Sequence, residues 1–220
     1  MPSGHKDIFR SLANQKDILL PYLKNAVLAD NWPEEYTVKI DSRPYYGLGD
    51  GYFHPSSHGL MGARQLYYLF HPEHRQRMVH ETHDVQAEMT FAMGSALHGV
   101  VQTQFQMAGM LRPENVEREY IIKEHHIRGR NDMVIDHPTM GEVVTELKTQ
   151  NSRAFDFQVE MKDSWKSQLS MALHGLGHDV GVLLVLESGF PYRMREYRHE
   201  RDDKLLNEIF AKFVFQVIVV

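Results

Sequence analysis

The chain has 220 residues, of which 42% are hydrophobic and 24% charged, with a formal net charge of −5 and no cysteine. This composition is typical of a single globular domain, and it excludes disulfides and any zinc or iron–sulfur site built on cysteine. The acidic net charge is unusual for a protein that binds nucleic acid. No apolar run reaches the roughly 18 residues of a membrane span, and Met1 to Arg10 contain none, so we expect neither a membrane segment nor a signal peptide.

The first half of the chain is patterned as helices and one long loop. Pro21 is expected to break the first helix, and Ser57 is a suitable N-cap for the second. The predicted elements are a helix from about Lys6 to Ala29, an extended loop rich in Pro, Gly and Tyr from Trp32 to Pro55, a short helix from Gly62 to Phe70 and a longer helix from about Asp84 to Met107.

The second half of the chain changes to strands after Pro113. The predicted elements are strands at Glu119 to Ile122, Arg128 to Ile135 and Glu142 to Lys148, a helix from Trp165 to Leu176 that ends at Gly177, strands at Val180 to Leu186 and Tyr192 to Arg198, and a last helix from about Asp202. This order predicts an α/β fold in which helices flank a mixed central sheet.

The segment Gly129 to Gln150 carries the most chemical information. A hairpin between its two predicted strands brings the carboxylates of Asp132 and Glu146 to one side of the sheet. Because side chains alternate along a strand, Lys148 projects from the same face as Glu146. Carboxylates are hard ligands for Mg²⁺ or Mn²⁺, and a lysine beside them orients or deprotonates water, which is the chemistry of phosphodiester hydrolysis. By itself, a Glu-x-Lys sequence is more often a solvated strand face with cross-strand salt bridges.

Residues of neighbouring helices add context to this segment. Four motifs follow one another along the chain: Gly94-x-x-x-His98, Gly129-Arg-x-Asp132, Glu146-x-Lys148 and the helical Gln168. In this order they resemble the RecB-like exonuclease branch of the PD-(D/E)XK nuclease superfamily, which includes phage exonucleases and CRISPR-associated iron–sulfur exonucleases. The resemblance covers about Ser56 to Glu187. It implies a restriction-endonuclease-like core over residues 56–220 behind a helical N-terminal extension and loop over residues 1–55, together forming one compact domain.

The same resemblance implies the roles of the site residues. One or two Mg²⁺ or Mn²⁺ ions are held by His98, Asp132, Glu146 and the backbone carbonyl of Leu147. Lys148 acts on the attacking water and Gln168 helps to position the site. Glu119 matches a supporting acidic residue, and Glu117 fits that place equally well. No nucleotide cofactor is implied.

The chain also departs from the pattern of this branch. Asn131 replaces the usual apolar residue before the motif Asp, and Ala172 stands where a Tyr often follows the motif Gln. The segment His54 to Phe70 resembles the N-terminal region of the iron–sulfur members but lacks cysteine, which implies a relative without the cluster. The candidate contacts to DNA are Arg64, Tyr67, Arg130, Arg193 and Arg195.

The expected function is that of a metal-dependent DNA exonuclease in phage or bacterial recombination, repair or replication. Two alternatives stay open, a restriction-like or structure-specific endonuclease on the same core and a catalytically silent DNA-binding or assembly subunit. DNA is the expected partner, and a recombinase, a single-strand-binding protein, a helicase or a second copy of the chain are further candidates. We expect a cytoplasmic protein, in the host cytoplasm if a phage encodes it.

Overall fold

A computed structural model of the chain describes residues 17–29, 32–36, 51–75 and 84–217. The helices are α1 (Leu20–Leu28), α2 (Pro55–His58), α3 (Ala63–Phe70), α4 (Pro72–Arg75), α5 (Val85–Met107), α6 (Ser152–Phe157), α7 (Asp163–Leu176) and α8 (Asp203–Val217). The strands are β1 (Val116–Ile122), β2 (Ile127–His137), β3 (Gly141–Gln150), β4 (Val180–Glu187) and β5 (Met194–Glu200). Within these ranges, no helix is both long and apolar enough to cross a membrane.

The five strands form one sheet in the order β1-β2-β3-β4-β5. Neighbouring strands are antiparallel except β3 and β4, which are parallel. A parallel pair needs a crossover that returns the chain to the end of the sheet at which the first strand begins, and α6 and α7 lie on that crossover. The mixed sheet flanked by helices that the sequence predicts is therefore confirmed.

Helices cover both faces of the sheet and divide the core into two apolar clusters. One cluster contains Leu169 of α7, Phe213 of α8 and Leu183 of β4. The other contains Phe105 of α5 and Leu184, the next residue of β4. Because β4 faces helices on both sides, it needs a continuous apolar run instead of an alternating one, and its sequence VGVLLVL supplies that run.

One prediction about a helix end is wrong, and another is tested only in part. Pro21 lies in the first turn of α1, where the missing amide hydrogen has no helical acceptor to lose. Residues 17–19 before α1 are not helical, and the earlier part of the predicted helix lies outside the described residues. Ser57 does not cap α3, because it lies inside α2. Gly62 precedes α3 instead, and its amide donates to the side chain of Gln65 at 3.1 Å.

The short helices α2, α4 and α6 are absent from the sequence-based prediction. They have four to six residues, too few for the apolar periodicity that reveals a longer helix. The last strand begins at Met194, two residues later than predicted. Residues 6–16 of the predicted first helix and residues 37–50 of the predicted loop lie outside the described part of the chain.

Candidate active site

The site lies where β2 and β3 separate. The pairs between these strands run from His137 opposite Gly141 to Met133 opposite Thr145. The preceding part of β2 pairs with β1, and the following part of β3 pairs with β4. Asp132 and Glu146 are the first positions beyond the last pair of β2 with β3.

Asp132 connects this opening to helix α5. Its Oδ2 accepts a hydrogen bond from the amide of Leu147 at 2.7 Å, and its Oδ1 lies 3.5 Å from Nδ1 of His98. One turn before His98, a Cβ added to Gly94 would lie 3.2 Å from Oγ1 of Thr149. The glycine therefore lets α5 approach β3 closely, which explains the spacing of the Gly94-x-x-x-His98 motif.

Glu146 and Lys148 connect the opening to helix α7 on the opposite face of the sheet. Nζ of Lys148 donates to Oε1 of Glu146 at 2.8 Å and to Oε1 of Gln168 at 2.9 Å. Nε2 of Gln168 also donates to Oε1 of Glu146. The structure thus brings together the five predicted side chains of the site, with His98 and Gln168 approaching from opposite layers.

The charges of the site perturb one another strongly. Burial and the nearby carboxylate of Asp132 raise the pKa of Glu146 to about 7. Burial alone would lower the pKa of Lys148, but the carboxylates of Glu146 and Asp132 outweigh burial and raise that pKa. Burial alone would raise the pKa of Asp132, but the neighbouring imidazole of His98 and the ammonium of Lys148 outweigh it and lower that pKa. Strongly perturbed groups of this kind are concentrated at functional sites.

The donor set fits a divalent metal ion, although no group of three or more His, Asp and Glu side chains in the described ranges is already arranged as a metal site. The carboxylates of Asp132 and Glu146 repel each other, which is one cause of the raised pKa of Glu146. A cation between them would remove that repulsion. The buried Oδ1 of Asn131 has no hydrogen-bond partner and adds a neutral oxygen beside Glu146. His98 supplies a nitrogen donor next to Asp132.

Asn131 and Gln102 belong to the site, and the sequence analysis did not assign them to it. Nδ2 of Asn131 donates to the carbonyl oxygen of Thr145 at 3.1 Å and to Oε2 of Glu146 at 3.5 Å. Nε2 of Gln102 donates to the carbonyl oxygen of Asp132 at 3.2 Å. Gln102 follows His98 by one helical turn, so helical spacing predicts that both side chains lie on the same face of α5. Asn131 gave a signal only as a departure from the apolar residue expected there.

Gly129 of the Gly-Arg-x-Asp motif has a packing role. A Cβ at this position would collide with the ring of Tyr120, the residue opposite it on β1. A Cβ at Gly175 of α7 would collide with the same ring. The buried ring of Tyr120 is therefore held between two glycines, which fixes the distance between α7 and the part of β2 that leads to Asp132.

A cleft of about 580 Å³ opens over the site. Its basic side chains are Lys148, Arg128 and Arg130. The residues that line it are His54, Pro55, Ser56, Glu119, Arg128, Gly129, Arg130, Asp132, Glu146, Lys148 and Gln168. Of the predicted DNA contacts, only Arg130 is among these lining residues. The predicted supporting residue Glu119 also lines the cleft, opposite Arg130 on β1.

The other predicted DNA contacts lie away from this lining. Arg193 pairs with Glu187 at 2.9 Å and with Asp156 at 2.6 Å, and Arg195 lies over the ring of Phe155 at 4.4 Å. The guanidinium groups of both arginines therefore already have partners within the protein. On α3, Arg64 lies over the ring of Tyr68 at 5.7 Å, and Tyr67 contacts the rings of Tyr68, His71 and His74.

No protein-family model matches the chain, and no curated protein is significantly similar to it in sequence. Solved structures do match. An alkaline exonuclease from Laribacter hongkongensis, LHK-Exo, has a TM-score of 0.56 at 14% identity, over 76% of this chain and 87% of that chain. LHK-Exo in complex with dAMP gives the same TM-score and coverage at 16% identity. SSO0001 matches over 93% of this chain and 87% of its own at 18% identity, with a TM-score of 0.49.

Identities this low show a shared fold alone. The chain has the restriction-endonuclease-like α/β fold of LHK-Exo, as the order of its motifs predicts.

Proposed function

We propose that the protein is a metal-dependent deoxyribonuclease that removes nucleotides from a DNA end. The observation that supports this proposal is the convergence of five polar side chains on the opening between β2 and β3: His98, Asp132, Glu146, Lys148 and Gln168. Burying two carboxylates and an ammonium group costs free energy, so a cluster held from both faces of the sheet favours a functional explanation. The fold shared with an alkaline exonuclease that has been solved with dAMP supports DNA as the substrate.

In the proposed mechanism, Asp132, Glu146, His98 and the backbone carbonyl of Leu147 are the groups that would hold the metal. A metal bound there would lower the pKa of a water molecule and offset negative charge on the phosphate. Lys148 stays protonated because its carboxylate neighbours raise its pKa. Two of its three N–H groups donate to Glu146 and Gln168, so the third is the one that donates to the attacking water.

Two amides keep the carboxylate of Glu146 in place during this reaction. Gln168 donates to Oε1 of Glu146, and Asn131 is 3.5 Å from its Oε2. Because each carboxylate oxygen has its own donor, the carboxylate of Glu146 cannot rotate freely about the Cγ–Cδ bond. We assign both amides a positioning role.

Several finer predictions remain part of the proposal. We propose a role in DNA recombination, repair or replication, in the cytoplasm, with a recombinase, a helicase, a single-strand-binding protein or a second copy of the chain as candidate partners. The division at residue 55 between an N-terminal extension and a nuclease core also remains a prediction. The support for all of these finer predictions is the order of the sequence motifs.

The decisive experiment digests linear, end-blocked and circular DNA, each single- and double-stranded, with Mg²⁺, Mn²⁺ or EDTA. We expect linear DNA to be degraded with either metal and to survive in EDTA. Asp132→Ala and Lys148→Ala should each lower kcat by about 10³-fold or more, because the first removes a metal ligand and the second removes the group that contacts the attacking water. Asp136→Ala is the matched control, since Asp136 lies on the same strand but pairs with Arg112 on the surface.

Each other outcome has a defined meaning. Equal cutting by the parent and by both site variants rules out the assignment of the site. Cutting of closed circles favours an endonuclease on the same core. No cutting with either metal favours a catalytically silent DNA-binding subunit.

A further inference from the structure

Two arginines and the candidate metal ligand Asp132 form a row along β2. The exposure of β2 alternates, with Ile127, Gly129 and Asn131 buried and the even-numbered residues between them more exposed. Arg128, Arg130 and Asp132 therefore project from one face of the strand. With a rise of about 3.3 Å per residue, successive members of the row are roughly 7 Å apart. Both arginines also line the cleft that contains Glu146 and Lys148.

Each arginine of this row is paired with a carboxylate of the neighbouring strand β1. Arg128 lies 3.2 Å from Glu119, and Arg130 lies 3.3 Å from Glu117. Each pair is diagonal, since β1 places Glu119 opposite Arg130. The four side chains are between 36% and 60% exposed, so water and salt screen both pairs. Exposed pairs of this kind contribute little to stability, and a stronger anion can replace the carboxylate.

We propose that Arg128 and Arg130 bind successive phosphates of one DNA strand and lead that strand to the metal site, and that Glu119 and Glu117 occupy the arginines until the strand arrives. This proposal rests on the proposed function and names the part of the substrate that the cleft recognises, the sugar–phosphate backbone. The guanidinium group suits a phosphate because it forms two parallel charge-assisted hydrogen bonds. The spacing of the row matches the step from one nucleotide to the next along an extended strand.

The carboxylates make the proposal more specific than a basic patch. If Glu119 and Glu117 compete with phosphate, their removal strengthens binding, whereas removal of the arginines weakens it. If the pairs only stabilise the sheet, or if each glutamate holds its arginine in the binding position, removal of either partner leaves binding unchanged or weakens it. The sign of the effect of the glutamate variants therefore distinguishes the two explanations.

The test measures binding of the full chain to a fluorescent single-stranded oligonucleotide in EDTA over a series of salt concentrations. Arg128→Gln and Arg130→Gln should each raise Kd by about five- to tenfold and lower the slope of log K against log salt by about 0.7. Glu119→Gln and the double variant Glu117→Gln with Glu119→Gln should lower Kd by about two- to fivefold. Arg118→Gln is the matched control, because Arg118 is on β1 but pairs with Glu142 on the other face.

The proposal is overturned if the arginine variants bind with the Kd and salt slope of the parent, or if Glu119→Gln leaves the Kd unchanged or raises it. Failure of the proposed function is a separate result, because binding in EDTA needs no hydrolysis. If the arginine and glutamate variants change binding as expected but the parent never cuts DNA, the proposed strand contacts are supported and the nuclease function is wrong. If the parent cuts DNA but its arginine variants bind as the parent does, the nuclease function is supported and the proposed strand contacts are wrong. A parent that neither binds nor cuts overturns both.

Discussion

The buried carboxylate of Glu146 sets the pH behaviour of the site at the scale of single residues. Its pKa is raised from 4.5 to about 7 in the folded chain by burial and by Asp132. Because the folded-state pKa is the higher one, protonation of Glu146 stabilises the fold below about pH 4.5, and this contribution is lost as the pH rises through about 7. We expect the free energy of unfolding of the metal-free protein to fall by about 2 kcal/mol more between pH 5 and pH 8 than it does in Glu146→Gln.

Urea unfolding in EDTA at the two pH values measures this difference. Glu114→Gln is the control, since Glu114 is a surface carboxylate with a 65% exposed side chain and should leave the pH dependence of the parent intact. Identical pH dependence in the parent and in Glu146→Gln would show that Glu146 is not the group that titrates.

At the scale of elements, helix α1 is attached to the sheet by one distant carboxylate. Glu196 of β5 accepts hydrogen bonds from the amides of Ile18, Leu19 and Leu20 at 2.7, 2.9 and 2.9 Å. Leu20 is the first residue of α1 and Ile18 and Leu19 directly precede it, so their amides have no helical acceptor. We expect Glu196→Ala to lower the free energy of unfolding by about 2 kcal/mol and to increase hydrogen exchange in residues 17–29 more than elsewhere.

Glu200→Ala provides the comparison for this variant. Glu200 lies on the same strand with a side chain that is 73% exposed. Its carboxylate pairs with the exposed side chain of Arg198, two residues earlier. Its removal should change the free energy of unfolding by less than about 0.5 kcal/mol. Unchanged exchange in α1 of the Glu196→Ala protein would show that apolar packing alone holds the helix.

At the scale of the whole molecule, the site joins the two helical layers through the sheet. His98 comes from α5 and Gln168 from α7, so an ion bound between their partners stabilises both layers together. A ligand that binds only the folded state stabilises it by mass action, about 1.4 kcal/mol at tenfold excess over Kd. We expect Mg²⁺ and Mn²⁺ to raise the Tm of the parent, and we expect Asp132→Asn to lose this increase.

A chain with a net charge of −5 also attracts divalent ions without a specific site. Asp136→Asn removes the same charge from the surface and should keep the increase in Tm that the parent shows. If both Asn variants keep the increase, the ions act through general screening, and the candidate metal site is wrong.

The local pattern of the sequence determined much of the fold. Alternation and apolar runs predicted all five strands, and helical spacing predicted α3, α5, α7 and α8. The short helices escaped because four to six residues contain too little of a period. The start of α1 at Leu20 is not evident from the local pattern, because proline is compatible with the first turn of a helix as well as with a break.

The sequence by itself also indicated five side chains of the candidate site. Alternation along one strand placed Glu146 and Lys148 on the same face, and the resemblance carried by the four motifs implied His98, Asp132 and Gln168. Only the tertiary structure decided which arginines face the cleft. Arg193 and Arg195 looked suitable in sequence, yet their partners Glu187, Asp156 and Phe155 come from other elements. Arg128 and Arg130 acquire their position because the part of β2 that precedes Met133 is not paired with β3, and both arginines line the cleft. The physical reason is that net charge and local pattern are properties of the chain, whereas the electrostatic field of a cleft depends on which distant groups folding brings together.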